Sequence, residues 1–392
     1  MKKFISGDDA VAEGVRLAKP HVISAYPITP QTITVERLSE MVEDGSLVSE
    51  YMHVESEHSA MACAIGVSSV GARAFTATSS QGLLYMSECL PYASGARLPI
   101  VMMNANRALA TPWNIYGDQM DSMFLLNSGW IQVYVEDAQE ALDMMIQAYR
   151  IAEDEAVMTP VMVNLDGFVL THTYELVDIP LQEKVDAFLP PIATRDQVMS
   201  LDAPKSLCIT AGNDFNQEFK MKQDRDMQSS TAVIEAVDKA FGDAFGRYYK
   251  GMMDAYRCED AEVILVTVGS VTGTAKTVCN QLRDEGKKVG VLKLRYLRPF
   301  PTQGLCDVLK STKAIGVIDK NISFGYEGTI FTNVNSALVT LKERPETLNF
   351  IGGLGGRDIT KQDIRGVFDT LISKAAGNAE ERIQYMNVRC AE

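Results

Sequence analysis

The 392-residue sequence is poor in the features that mark several large functional classes. It has no clustered run of Lys and Arg, and 37 basic against 51 acidic side chains give a net charge of −14. That excludes the basic footprint a nucleic-acid backbone requires and leaves small molecules or proteins as ligands. No apolar window approaches the length of a spanning helix, and the opening Met-Lys-Lys-Phe-Ile-Ser-Gly-Asp-Asp lacks the apolar core of a signal peptide, so a cytoplasmic protein is expected. The seven cysteines (Cys63, Cys89, Cys208, Cys258, Cys279, Cys306, Cys390) form no C-x-x-C pair. The usual spacings of disulfide frameworks, zinc sites and iron–sulfur sites are therefore missing, and these thiols are expected to be inert or small buried apolar residues. There are only four histidines, and neither H-E-x-x-H nor G-x-S-x-G occurs, which removes the common metalloprotease and serine hydrolase signatures. Nor is there a Gly-Asp-Gly motif with a downstream Asn, or a P-loop. A diphosphate held through Mg²⁺ by this chain alone is thereby excluded, and the phosphates of any such cofactor fall to another chain.

What the sequence does contain is enough apolar material, 46% against 22% charged residues, for two domains with substantial cores. The stretch Tyr-Pro-Ile-Thr-Pro (26–30) closes an apolar strand at residues 21–25 and precedes an amphipathic pattern in Ile33, Val35, Leu38 and Met41. It reads as a strand-to-helix turn made rigid by Pro27 and Pro30, which fix their own φ and hold Tyr26 and Thr29 extended. Alternating units follow. Strands are predicted at residues 47–54, 72–78, 99–104 and 160–165, and helices at 8–18, 57–70, 83–93 and 138–152. The nearly all-apolar 99–104 segment suits a parallel strand covered on both faces. From about residue 175 to 257 the rhythm is lost, with a polar stretch at 213–230 and a helical run at 231–256. A second series then starts: strands at 262–268, 288–292 and 314–318, helices at 272–285 and 328–341. The expectation is two α/β domains, residues 1–257 and 258–392.

Four clusters carry the candidate chemistry, and most lie at strand ends, where open α/β sheets bind ligands. Thr29 in the first turn presents a hydroxyl to a ligand or caps a helix opened by Pro30. Glu55 and Glu57 open an Ala-rich helix. They favour its N-terminal dipole, or one of them, held among small apolar residues, shares a proton with a ligand nitrogen. The hydroxyl-rich turn Thr76-Ala77-Thr78-Ser79-Ser80-Gln81-Gly82 caps a helix or cradles an anion. Finally, Arg107 follows Asn104-Ala105-Asn106 at the end of the apolar strand. It offers a planar fork to a carboxylate, or pairs internally with Asp118 or Asp121.

Taken together, Tyr-Pro-Ile-Thr-Pro (26–30), Glu-Ser-Glu-His-Ser-Ala (55–60), Thr-x-Thr-Ser-x-x-Gly-Leu-Leu-x-Met-x-Glu (76–88), Asn-Arg-Ala (106–108) and Gly-Asp-x-x-Asp (117–121) resemble the α subunits of 2-oxoacid:ferredoxin oxidoreductases, most closely the pyruvate type. The likeness continues through Asp166-Gly167-Phe168, Asp319-Lys320-Asn321-x-Ser323-Phe324-Gly325 and Gly352-Gly353-Leu354-Gly355-Gly356-Arg357-Asp358. It implies a thiamine diphosphate (TPP) enzyme with a pyrimidine-binding domain of parallel sheet and helices, followed by a transketolase C-terminal-like α/β domain. It also implies a β subunit that holds the diphosphate and Mg²⁺, [4Fe-4S] clusters on β and δ subunits, a γ subunit, ferredoxin as acceptor and coenzyme A as co-substrate. By position, Glu57 matches the glutamate on the aminopyrimidine, with Glu55 as alternative, and Thr29 and Arg107 match the substrate-carboxylate contacts. Tyr26, Pro27, Ile28, Thr78 and Ser79 match the cofactor's surroundings. Branched-chain, aryl and 2-oxoglutarate-type acids remain alternative substrates, and a noncatalytic scaffold the alternative role.

Overall fold

The computed structural model describes residues 1–193, 198–207 and 210–389. Cys208 and Cys390 lie outside the described residues; the other five thiols are free. In chain order the strands are β1 (Lys2–Ser6), β2 (Val22–Ala25), β3 (Glu50–His53), β4 (Ala74–Thr78), β5 (Val101–Asn106), β6 (Ile131–Tyr134), β7 (Val161–Asp166) and β8 (Tyr174–Asp178). They continue with β9 (Met253–Tyr256), β10 (Val263–Thr267), β11 (Val289–Leu294), β12 (Tyr296–Arg298), β13 (Ala314–Asp319), β14 (Glu346–Ile351) and β15 (Ile383–Tyr385).

Seven strands form the first sheet, in the order β12-β6-β7-β5-β4-β2-β3, parallel except for β12. The second sheet runs β15-β14-β13-β10-β11-β9, parallel except for β9. Every residue of β4, β5 and β7 is buried, as the apolar run at 99–104 predicts for strands with helices on both faces. Helix Gly7–Ala18 starts at a capping box made by Ser6 and Asp9 and ends before Pro20, in agreement with its sequence signals.

The chain order across the first sheet decides where a ligand can sit. From β2 the chain moves outward to β3, whereas from β4 it moves the other way to β5. The topological switch point therefore lies between β2 and β4, and the crevice outside their carboxyl ends is where such sheets bind ligands. Residues 26–30 leave one of these strands and residues 79–82 the other.

Several sequence expectations need correction. The polar stretch at 213–230, for which no element is predicted, is mostly helical: a 30-residue helix spans Asn216–Phe245. The helix expected to reach residue 256 ends at Gly246, which takes φ 75°, and residues 253–256 form a strand, β9. A Gly in the left-handed region stops the helix because no Cβ opposes that conformation. The helix expected at 83–93 is two short ones, Ser80–Tyr85 and Cys89–Gly95, and the strand expected at 47–54 keeps only β3.

The two sheets are joined by buried charge. Glu140, on helix Ala138–Ala152, pairs with Lys293 of β11 and with Arg295 just beyond it, all three almost fully buried. Burial alone would raise the Glu140 pKa, but the two cations outweigh it and hold the carboxyl at about 2. A second joint pairs Asp166, at the end of β7, with Lys320 at 2.8 Å, while Ser270 donates its main-chain N–H to the same carboxylate at 2.8 Å.

Candidate active site

The turn after β2 leaves Pro27 and Thr29 exposed and Tyr26 and Ile28 half-buried. Its shape is held by Gln31, whose Nε2 donates to the Tyr26 carbonyl at 3.0 Å and to the Ala77 carbonyl of β4 at 3.5 Å. The following helix begins at Thr32, not at Pro30, and no side chain caps it, so the capping role considered for Thr29 is not realised.

Glu57 is the first residue of helix Glu57–Ser69, after the N-cap Ser56, and only 8% of it is exposed. It faces the turn after β4. A Cβ at Gly82 would come within 2.6 Å of Glu57 Oε1 and 2.7 Å of Thr78 Oγ1, so only glycine lets the carboxylate approach this turn. Thr78 and Ser79 are fully buried, and their hydroxyls, like that of Thr76, have no hydrogen-bond partner among the described residues. Ser79 sits at the N-cap of helix Ser80–Tyr85 without capping it. Glu55, by contrast, is exposed, and the Ser59 hydroxyl bonding its carboxylate lowers its pKa.

Arg107 follows β5 and is 3% exposed. Its Nη1 donates to the Thr29 carbonyl at 2.8 Å and its Nε to the Asn114 carbonyl at 3.3 Å, and the guanidinium lies 5.1 Å from the Trp113 ring centroid. Nη2 makes no hydrogen bond to a described residue. The internal pairing considered for Arg107 is absent: among the described residues no carboxylate forms a salt bridge with it. Asp121 bonds its main-chain N–H instead, at 3.1 Å.

Asp121 organises this end of the sheet. Its fully buried carboxylate also accepts from Ser80 N at 3.0 Å, Ser122 N at 2.7 Å and Asn106 Nδ2 at 2.8 Å. Burial pushes its pKa up to about 6, against the pull of these donors. Ser80 Oγ in turn donates to the Ala108 carbonyl at 2.6 Å. The turn beside Glu57 and the strand end bearing Arg107 thus hang on one carboxylate. The sequence marked Asp121 as a salt-bridge partner and as the end of the Gly-Asp-x-x-Asp motif, but not as the organiser of this edge. The available signal was Asn104 and Asn106 interrupting an apolar strand, because buried amides need partners.

Among the described residues no group of three or more His, Cys, Asp or Glu side chains is arranged to hold a metal ion. No helix among them is long and apolar enough to cross a membrane.

A parallel α/β sheet with a topological switch point, and with a buried carboxylate, orphaned hydroxyls and an arginine beyond the ends of its strands, defines a protein of the doubly wound class, in which ligands bind at that edge. The particular family follows from comparison. Residues 13–239 match the family described as pyruvate flavodoxin/ferredoxin oxidoreductase, thiamine diphosphate-binding, and residues 261–364 match pyruvate:ferredoxin oxidoreductase core domain II. Pyruvate synthase subunit PorA of Methanothermobacter thermautotrophicus is 49% identical over 93% of this chain and 94% of the relative. Ketoisovalerate oxidoreductase subunit VorA of Pyrococcus horikoshii is 41% identical over 99% and 98%. The solved 2-oxoglutarate:ferredoxin oxidoreductase of Magnetococcus marinus, with 2-oxoglutarate, coenzyme A and succinyl-CoA bound, shares the fold. It has a TM-score of 0.72 at 20% identity, covering 95% of this chain and 65% of that one. The chain belongs to the pyruvate:ferredoxin oxidoreductase family.

Proposed function

We propose that the chain is the α subunit of a TPP-dependent enzyme that converts pyruvate, coenzyme A and oxidised ferredoxin, reversibly, into acetyl-CoA, CO₂ and reduced ferredoxin. The observation that carries this reading is the buried Glu57 carboxylate set against Gly82 beside two orphaned hydroxyls, Thr78 and Ser79, at the switch point. An aminopyrimidine needs a carboxylate to share its ring proton and polar partners for its edge, and these residues fit that demand. When bound, TPP supplies the nucleophile and electron sink for decarboxylation of a 2-oxoacid.

In this reading Glu57 holds the pyrimidine ring nitrogen and its proton, and Tyr26, Pro27, Ile28, Thr78 and Ser79 shape the surrounding wall. Arg107 receives the substrate carboxylate on its free Nη2 edge, beside the exposed Thr29 hydroxyl. A guanidinium is suited to this because its bonds to carboxylates are planar and charge-assisted. Residues 1–257 are assigned to the pyrimidine-binding domain and 258–392 to the second, with two strands exchanged across that boundary: β9 pairs into the second sheet and β12 into the first. Mg²⁺ and the diphosphate are assigned to a β subunit, which accounts for the missing Gly-Asp-Gly motif. The [4Fe-4S] clusters are assigned to β and δ subunits, with γ completing a cytoplasmic complex that reduces ferredoxin.

A second substrate is supported by one observation: the VorA relative covers 99% of the chain at 41% identity, against 49% for the PorA relative. Arg107 and Thr29 address only the shared carboxylate. The test is to purify the co-expressed complex and assay a panel of 2-oxoacids with coenzyme A and a low-potential dye. Pyruvate is expected to give the highest kcat/KM. Preference for 2-ketoisovalerate would move the chain to the second reading, and inactivity with every 2-oxoacid would refute both.

A further inference from the structure

We propose that Asn114 is a positioning residue for Arg107, and that through it the second domain sets the orientation of the substrate-carboxylate site. The inference rests on Arg107 being the carboxylate contact.

The geometry lies in one residue that faces two ways. The main-chain carbonyl of Asn114 accepts from Arg107 Nε at 3.3 Å, while its side-chain Nδ2 donates to the carbonyl of Gly355, in the second domain, at 3.1 Å. Asn114 Oδ1 accepts from Tyr116 N at 2.6 Å, and the Tyr116 carbonyl accepts from Ala108 N at 3.0 Å, closing the loop on the residue next to Arg107. The remaining polar group of Gly355, its N–H, donates to Asp118 Oδ2 at 3.0 Å, so both main-chain groups of this glycine are held by the loop. Gly355 takes φ 58°, and a Cβ there would come within 2.5 Å of Asn114 Nδ2, so the turn is shaped to receive that amide. Trp113, the residue before Asn114, keeps its ring centroid 5.1 Å from the guanidinium although it is 73% exposed.

The consequence is a two-sided grip. Thr29 fixes one edge of the guanidinium from the first turn, and Asn114 fixes Nε from a loop whose place is set by Gly355. Nη2 is left pointing along a direction chosen by both. Loss of the amide frees the loop without removing the charge, so substrate binding should suffer while TPP binding does not.

The experiment uses the assembled complex with Asn114→Ala, Arg107→Lys and the double variant, measuring kcat and KM for pyruvate and the TPP concentration for half activation. N114A is expected to raise KM about tenfold with little change in kcat, short of the roughly 10²-fold that a 1 Å misplacement can cost. In the R107K background the same change should add almost nothing, because Asn114 acts through the arginine fork. An unchanged KM in N114A, or a loss that simply adds to that of R107K, would overturn the proposal while leaving the Arg107 assignment in place. A normal R107K enzyme would instead overturn the Arg107 assignment, and this proposal with it. Should N114A not assemble, Asn114→Ser, which retains a short polar side chain, is read by the same cycle.

Discussion

Arg107 gives its Nη1 hydrogen to the main-chain carbonyl of Thr29 at 2.8 Å across 78 residues of sequence, so the connection after β5 is tied to the turn after β2. The partner is neutral. Burial lowers the arginine's pKa from its ordinary value and the nearby Asp121 charge raises it, yet no described carboxylate neutralises the guanidinium. A buried cation bonded to carbonyls keeps its charge for an incoming anion.

Replacement of Arg107 by Lys is therefore expected to lower kcat/KM for the 2-oxoacid by about 1.5–3 kcal/mol of transition-state stabilisation, since a point charge replaces a planar fork. TPP binding should change little. The comparison of kcat/KM with the TPP concentration for half activation checks this, and an unchanged kcat/KM would remove Arg107 from substrate recognition.

Gly82→Ala places a Cβ within 2.6 Å of Glu57 Oε1 and 2.7 Å of Thr78 Oγ1. Overpacking of this kind costs about 1–3 kcal/mol, which at the cofactor site corresponds to roughly 5- to 150-fold weaker TPP activation. Gly66→Ala serves as the control, because nothing lies within 4 Å of its Cβ. Equal TPP titrations for the two variants would show that the Gly82 contact has no bearing on the cofactor.

The Glu140 pair to Lys293 and Arg295 predicts an acid-sensitive joint. Its folded pKa of about 2 lies below the ordinary 4.5, so its contribution is complete above about 4.5 and disappears as pH falls toward 2. Glu140→Gln, which leaves the buried Arg295 without a carboxylate and Lys293 with Glu136 alone, should cost about 3–5 kcal/mol at neutral pH. Urea unfolding of both proteins from pH 7 downward should show their difference shrinking across that window. A constant difference would contradict the assignment.

How far the sequence alone reached can be read from single residues. Glu57, Thr29 and Arg107 could be marked as candidates from the sequence because proline turns, an Ala-rich helix start and an apolar strand end are local signals, although those signals left a cap, a dipole partner or an internal ion pair equally open. Asp121 and Asn114 were not, because their partners come from elsewhere: Ser80, Asn106 and Gly355 meet them only after the sheets have assembled. The helix Asn216–Phe245 was half missed for the opposite reason. Its first turns are almost wholly exposed, so they carry no apolar stripe to reveal a period of 3.6.

The isolated chain, expressed without partners, is expected to be colourless and inactive, since its sequence carries neither a diphosphate motif nor the cysteine spacing of an iron–sulfur site. Visible iron–sulfur absorption from the purified chain alone would contradict the division of labour between subunits.

The central claim is that Glu57 acts on the pyrimidine ring, and the most direct measurement is the exchange rate of the TPP C2 proton in the assembled complex at matched cofactor occupancy. Glu57→Gln keeps size and hydrogen-bonding capacity but removes the acid, and loss of such proton-transfer help typically slows a rate by about 10²–10⁴-fold. A helix-terminal carboxylate alone would give about 0.3–1 kcal/mol of stability and leave exchange untouched. The account predicts slow exchange in Glu57→Gln with fold and assembly intact, and normal exchange in Glu55→Gln. Normal exchange in Glu57→Gln would contradict it.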